Sequence, residues 1–192
     1  NRSELIEVAT FRSGQDLTNN GHLIKDQSGK IIRDNIWGNL DEDTYRRDFT
    51  VNALYYSPIS KKIIGHKNGM GDIHKKSIVS IGDPKKRFSE DPVRSLRAIR
   101  FSNKLEFKID KKIKEAIYEK GALLAGISNA RLFDEFCKIF LSGMAEKNFN
   151  KLTSFGLNKY LVTTDPQKNE FTKKLLSEAL RNTDKRLKNN LS

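Results

Sequence analysis

The chain has 192 residues, 36% of them hydrophobic, which is enough for one ordinary domain or two small ones with a packed core. Its 36 Lys and Arg against 24 Asp and Glu give a formal net charge of +12, and such a balance points toward a polyanionic partner. No apolar run approaches the roughly 18 residues of a membrane span and no signal peptide is visible; the single cysteine, Cys137, excludes an intramolecular disulfide, so a soluble protein in a reducing, cytoplasmic setting with no membrane partner is expected.

The charge is unevenly placed. Residues 1 to 50 hold 7 basic and 9 acidic groups, residues 51 to 150 hold 20 and 11, and residues 151 to 192 hold 9 and 4. Because 24 of the 36 cations are lysine and Asn and Ile are abundant, AT-rich coding is a competing source of the basic character.

LIEVATFR, residues 5 to 12, alternates around Ile6, Val8 and Phe11 and predicts a strand. Residues 13 to 30 carry Gly14, Asn19, Asn20, Gly21, Ser28 and Gly29 and read as a long loop. RRDFTVNALYY, residues 46 to 56, sets Arg46, Arg47 and Asp48 side by side before an apolar run, and the run is read as a helix beginning near Asp48. KKIIGHKNGMGDIHKKSIVSIG has two apolar pieces around a Gly-rich turn, with Gly69 and Gly71 in the turn, and reads as hairpin-like.

From Asp91 onward the pattern is helical, with breaks near Lys108 to Asp110, Gly121 to Asn129 and Thr163 to Pro166. The order is therefore α/β followed by all-α. EDPVRSLRAIRF, residues 90 to 101, opens with Asp91 as N-cap and Pro92 at the first helical position. Arg94, Arg97 and Arg100 then recur every three residues over about 120° of the helix surface, while Val93, Leu96 and Ile99 supply an apolar face. Glu90 lies four residues before Arg94, a spacing that also permits a simple surface pair. Arginine forks hold phosphate or a base edge bidentately, so the row is also a candidate nucleotide surface.

Taken in order, RRDFTVNALYY, GMGDI (residues 69 to 73) and EDPVRSLRAIRF resemble the motif series of the class II nucleotidyltransferases, the bacterial poly(A) polymerases and CCA-adding enzymes of the DNA polymerase β superfamily. Residues 31 to 57 and ISNARLFDEFCKIFLSG, residues 127 to 143, resemble the poly(A) polymerases more than the CCA-adding enzymes. The resemblance implies the C-terminal part of a polymerase β-like head over residues 1–83, a helical neck that binds nucleotide and RNA over 84–147, and the start of a helical body over 148–192. It implies an enzyme that adds AMP from ATP to RNA 3′ ends with Mg²⁺, CCA addition to tRNA being the alternative. Single-stranded RNA 3′ ends, ATP and proteins of RNA decay are the implied partners.

Several site roles follow from the same resemblance. Arg46 and Arg47 become a clamp for a triphosphate of about four negative charges, because transfer is driven by positioning and charge stabilisation. Asp48 joins the catalytic carboxylates and Glu7 falls where the strand carboxylate facing the metal pair belongs, an exposed strand Glu being the bland alternative. Asp91 and Arg94, with Arg97, match the segment that selects the base: a carboxylate accepts from an exocyclic amine and a guanidinium donates to a ring nitrogen. Asn52, Asp72, Glu90, Arg100 and Arg131 are supporting positions, Arg131 and Glu135 being spaced to brace neck against body.

Departures are equally plain. The Gly-Gly turn ending in Arg-Asp and the DxD metal motif that lie upstream in the family do not occur here, so the chain reads as an interior fragment. Asp41, Glu42 and Asp43 spell a DxD but sit where the polymerases have an acidic loop, and are rejected as the metal motif. Without the metal motif, a non-catalytic RNA-binding module is a second alternative. His22, His66 and His74 lack ligand spacing for zinc. Cys137, within an apolar pattern, reads as a buried small hydrophobe rather than a nucleophile.

Overall fold

The computed structural model describes residues 6, 8–13, 37–162 and 169–189. Glu7, most of the long loop and the break at Thr163 to Pro166 lie outside the described residues. The chain divides into two compact units, Asn1–Gly71 and Asp72–Ser192. Mixed α/β structure comes first and helices follow.

In the first unit the strand over LIEVATFR does not form among the described residues. Among the described residues of that segment Arg12 makes an isolated antiparallel bridge, to Trp37. Helix α1, Leu40–Arg46, is closed by a reciprocal capping box: Asn39 Oδ1 accepts from Glu42 N–H and Glu42 Oε2 accepts from Asn39 N–H, both at 2.9 Å. Asp41, Glu42 and Asp43 therefore occupy its first turn, where carboxylates oppose the helix dipole, and not a loop.

No helix begins at Asp48. A 3-10 turn, Thr50–Asn52, leads into β1, Leu54–Ser57, which pairs antiparallel with β2, Lys62–Gly65, in the register Leu54 to Gly65 and Ser57 to Lys62. Aromatic and β-branched residues favour that pairing over helix. The hairpin is thus real but displaced: KIIG pairs with LYYS upstream and not with SIV downstream. Gly65 makes the close approach possible, since it sits at φ +123° and a Cβ there would lie 2.3 Å from Ala53 O. The Gly-rich segment after it is a short helix, α2, Gly69–His74, and not a turn.

The second unit is built on paired helix starts. Asp83 accepts from Lys85 and Lys86 N–H, with Pro84 at the first position, and begins α3, Pro84–Glu90. Asp91 N–H donates to Arg87 O, closing α3, and its Oδ1 accepts from Val93 N–H at 3.2 Å at the start of α4, Val93–Leu105, whose N-cap is Pro92, one residue later than the sequence predicted. Glu106, in the left-handed region at φ 56°, ends α4 and turns the chain into β4, Lys108–Ile109, parallel to β3, Ser77–Ile78.

Then follow α5, Lys111–Lys120, a 3-10 segment over Gly121–Gly126, α6, Asn129–Phe140, α7, Ala145–Ser154, and α8, Glu170–Lys188. Val93, Leu96 and Ile99 supply the buried face of α4, as their spacing predicts, with Ile78, Phe88, Ile113, Ile117, Leu124, Ile139 and Leu152 in the same unit's core. Each such side chain stabilises by roughly 1.5–3 kcal/mol. Asn148, fully buried, accepts from Asn103 Nδ2 at 2.8 Å and donates to Ile139 O at 2.8 Å, so one amide joins α4, α6 and α7. Cys137 is half-buried, not buried.

Candidate functional site

In the first unit the two adjacent arginines are organised by a residue the sequence reading set aside. Asp43, 2% exposed, lies one turn before them on α1. Its Oδ1 accepts from Arg46 Nε at 2.8 Å and its Oδ2 from Arg47 Nε and Nη2 at 3.1 and 2.9 Å. The Tyr55 hydroxyl, brought from β1, donates to the same carboxylate, and Arg12 N–H donates to Oδ1 at 3.2 Å. Tyr55 itself stands edge-on to Phe11, with centroids 5.6 Å apart, and 5.4 Å from the Arg47 guanidinium.

Burial by itself would raise the Asp43 carboxyl, but the Tyr55 hydroxyl, Arg46, Arg47 and Arg12 N–H together hold it well below the ordinary carboxylate value. Tyr55 moves up, through burial and its bond to the carboxylate. One buried anion thus fixes two cations whose side chains stay about a third exposed, at 33% and 36%. The cluster keeps a net positive charge and presents it in a set orientation.

Asp48, 6% exposed, follows directly. Its Oδ1 accepts from Phe49 N–H at 2.9 Å and from Asn52 Nδ2 at 3.0 Å, so Asn52 is its supporting partner. Asp72 is buried on α2. Among the described residues no group of three or more His, Cys, Asp or Glu is placed to hold a metal ion. The described carboxylates do not by themselves make a magnesium site.

In the second unit Asp91 and Arg94 come together at the start of α4, with Arg94 Nε 3.8 Å from Asp91 Oδ2. Glu90 does not pair with Arg94. It ends the preceding helix and takes Arg87 at 3.2 Å and Lys86 at 3.9 Å. Arg131, from α6, donates through Nη2 to Asp91 Oδ2 at 2.8 Å, and Glu135 Oε2 lies 3.6 Å from Arg100 Nε. The pair on α6 therefore ties that helix to α4 and its approach.

The arginine row is not an open stripe of cations: Arg94 and Arg100 are each only 14% exposed, and the Arg97 and Arg100 guanidiniums lie 5.4 and 4.5 Å from the Phe101 ring. At the Asp91 end one carboxylate meets two guanidiniums, those of Arg94 and Arg131. The roles of Asp43 and Tyr55 and the Arg131 contact to Asp91 were missing from the sequence account. The spacing of Asp43 to Arg46 and Arg47, three and four residues, carried the signal for the first.

Comparison with known proteins gives two family matches. Residues 1–79 match a model described as "Poly A polymerase head domain", and residues 106–167 one described as "Probable RNA and SrmB- binding site of polymerase A". The chain is 37% identical over 194 residues to poly(A) polymerase I of Haemophilus influenzae, covering 98% of this chain and 43% of that protein. A CCA-adding enzyme of Lactobacillus johnsonii is 36% identical over 159 residues, covering 81% of this chain and 37% of that one. In fold it is similar to the crystal structure of the Bacillus stearothermophilus CCA-adding enzyme in complex with CTP, with TM-score 0.59, 32% identity, and coverage of 83% of this chain and 37% of the other. The chain spans about two-fifths of the length of these curated relatives.

Proposed function

We propose, from the premise that this chain belongs to the nucleotidyltransferase family of poly(A) polymerases and CCA-adding enzymes, that the complete protein adds AMP from ATP to RNA 3′ ends without a template. The observation that carries the choice is the reach of the likeness: it extends over 98% of the chain for poly(A) polymerase I and 81% for the CCA-adding enzyme.

In this reading residues 1–83 belong to the head, 84–147 to the neck and 148–192 to the start of the body. The 3′-hydroxyl oxygen bonds to the α-phosphorus of ATP, the bond from that phosphorus to the bridging oxygen breaks, pyrophosphate leaves and the hydroxyl proton is released. Arg46 and Arg47, pre-oriented by Asp43, hold the phosphates and stabilise charge gathering on the leaving group without reorganising during the step. Asp48, kept in place by Phe49 N–H and Asn52, is the described carboxylate assigned to the reacting centre. Asp91 accepts from the exocyclic amine of the base while Arg94 donates to a ring nitrogen. Mg²⁺ is the metal that the family resemblance implies, and Glu7 is the further carboxylate assigned to it.

The basic second unit binds single-stranded RNA, with proteins of RNA decay as further partners in a cytoplasmic setting. CCA addition to tRNA is the second reading, favoured by the likeness to an enzyme crystallised with CTP. Primer extension by the complete protein, with each nucleoside triphosphate offered singly, separates them. Many adenylates on generic RNA support the polymerase; ordered addition of two cytidylates and one adenylate to tRNA lacking its terminus refutes it. No incorporation of any nucleotide would leave an RNA-binding module.

A further inference from the structure

We propose that Tyr118 and Phe155, flanked by Lys114 and Lys151, form a subsite for single-stranded RNA where α5 meets the end of α7, taking a base on the rings and its phosphates on the lysines. The inference rests on the reading of the second unit as RNA-binding. Tyr118 is 67% exposed, and its ring centroid lies 5.2 Å from that of half-buried Phe155, with 44° between the planes. Each ring follows a lysine by one helical turn, Lys114 on α5 and Lys151 on α7, so the two cations stand beside the two rings.

Among the described residues neither lysine is paired with a carboxylate, whereas the acids of α5 and of the α4 end are engaged: Glu115 takes Lys111 at 3.9 Å, Glu119 takes Lys85 at 2.6 Å and Glu106 takes Lys147 at 3.7 Å. Lys151 Nζ donates to Ser102 Oγ and, at 3.2 Å, to Asn103 Oδ1, two neutral acceptors on α4. Both acceptors are themselves fixed, since Ser102 Oγ donates to Phe107 O at 2.6 Å and Asn103 Nδ2 to Asn148 Oδ1 at 2.8 Å. An ammonium carries three protons, so one remains for an outside acceptor and the charge stays uncompensated. Burial and then the like charge of Lys114 push the Lys151 ammonium below its ordinary value, an effect that an anion held between the two reverses.

A phosphodiester supplies that anion, and a nucleobase supplies a flat partner for Tyr118. Stacking rings beside unneutralised cations hold single strands without reading their sequence. An acidic protein segment would use the lysines but not the planar face of the ring. Position decides which nucleotides bind: Ser102 and Asn103 are near the C-terminal end of α4, roughly 15 Å along the helix from its start beside Asp91, so the subsite takes RNA upstream of the incoming nucleotide.

The experiment measures binding of a short single-stranded RNA, and of an RNA duplex of the same length, by the complete protein across a salt series, with urea unfolding of each preparation. Tyr118→Ala is expected to weaken single-strand affinity roughly tenfold with the salt slope unchanged, while Tyr118→Phe stays within about threefold of the parent. Duplex affinity is unaffected by either, because paired bases are already stacked. Lys114→Gln and Lys151→Gln are each expected to lower the salt slope by about 0.7, the share of one phosphate on a single strand. Lys114 is exposed, so its variant decides the matter should Lys151→Gln lower the unfolding midpoint. A loss of less than about threefold in Tyr118→Ala, an equal loss for strand and duplex, or an unchanged slope in Lys114→Gln overturns the proposal. Where the parent binds RNA in a salt-dependent way and the variants match it, this inference falls alone; a parent that binds no single-stranded RNA removes the RNA reading of the second unit with it.

Discussion

Asp43 accepts from Arg47 through both Nε and Nη2, at 3.1 and 2.9 Å, across one turn of α1. The same carboxylate holds Arg46 and the Tyr55 hydroxyl, so replacing it by Asn leaves two guanidiniums and a phenol without their common anion. Breaking a buried pair on one side costs about 3–5 kcal/mol; since both arginines are a third exposed, roughly 2–3 kcal/mol is expected for Asp43→Asn. Urea unfolding of the complete protein measures it, and a midpoint equal to the parent's would contradict the hub.

Acid should act through the same residue. The folded Asp43 carboxyl lies far below its ordinary value of 3.8, so its contribution is full above that value and fades as pH falls below it toward the folded value. The stability gap between parent and Asp43→Asn should therefore be constant near neutrality and shrink below about pH 4. Urea midpoints across that range test it; a gap that stays constant into strong acid would place the lost interactions elsewhere.

Asn148 makes a different demand. Its amide is buried and serves Asn103, Ile139 O and Ser142, so Asn148→Ala strands partners on two helices, α4 and α6, and in the turn after α6. A loss of about 1–3 kcal/mol is expected. Asn148→Leu, of similar volume, should be no better, because the stranded carbonyl and amide remain. A thermal midpoint within a degree of the parent's for either variant would show that water replaces the amide.

What the sequence disclosed, and what it concealed, follows from how local each signal is. Asp91–Pro92 and the Val93, Leu96, Ile99 face were legible because cap, first residue and buried stripe lie within one helix. Asp83–Pro84 carried the same start signal, yet α3 was passed over because it falls between the segment read as hairpin, which ends at Gly82, and the helical pattern read from Asp91. The capping box of Asn39 and Glu42 was also present. Reading residues 41 to 43 as a loop hid the helix, and with it the i, i+3 and i, i+4 relation of Asp43 to the two arginines. Short apolar runs do not name their partners, so the hairpin was placed one strand too late. Arg131 and Asp91 are 40 residues apart, and no spacing rule could have joined them.

Basic groups exceed acidic ones by 20 to 11 over residues 51 to 150 and by 9 to 4 over residues 151 to 192. If that surface follows RNA, affinity for single-stranded RNA should fall at least about tenfold between about 50 and 200 mM salt, as several released counterions require. Binding isotherms of the complete protein at four salt concentrations give the slope. A flat response would assign the lysines to coding bias.

Asp48 tests the account most directly. Asp48→Asn keeps an oxygen that can accept from Phe49 N–H and Asn52 Nδ2 while removing the charge, so the turn after α1 should hold. Single-turnover extension of an RNA primer with ATP is the measurement, with urea unfolding of the same preparation alongside. A fall in rate of a hundredfold or more, about 2.7 kcal/mol or more in barrier, with an unchanged unfolding midpoint is predicted; a rate within a few-fold of the parent's would contradict the assignment of this unit as the catalytic head.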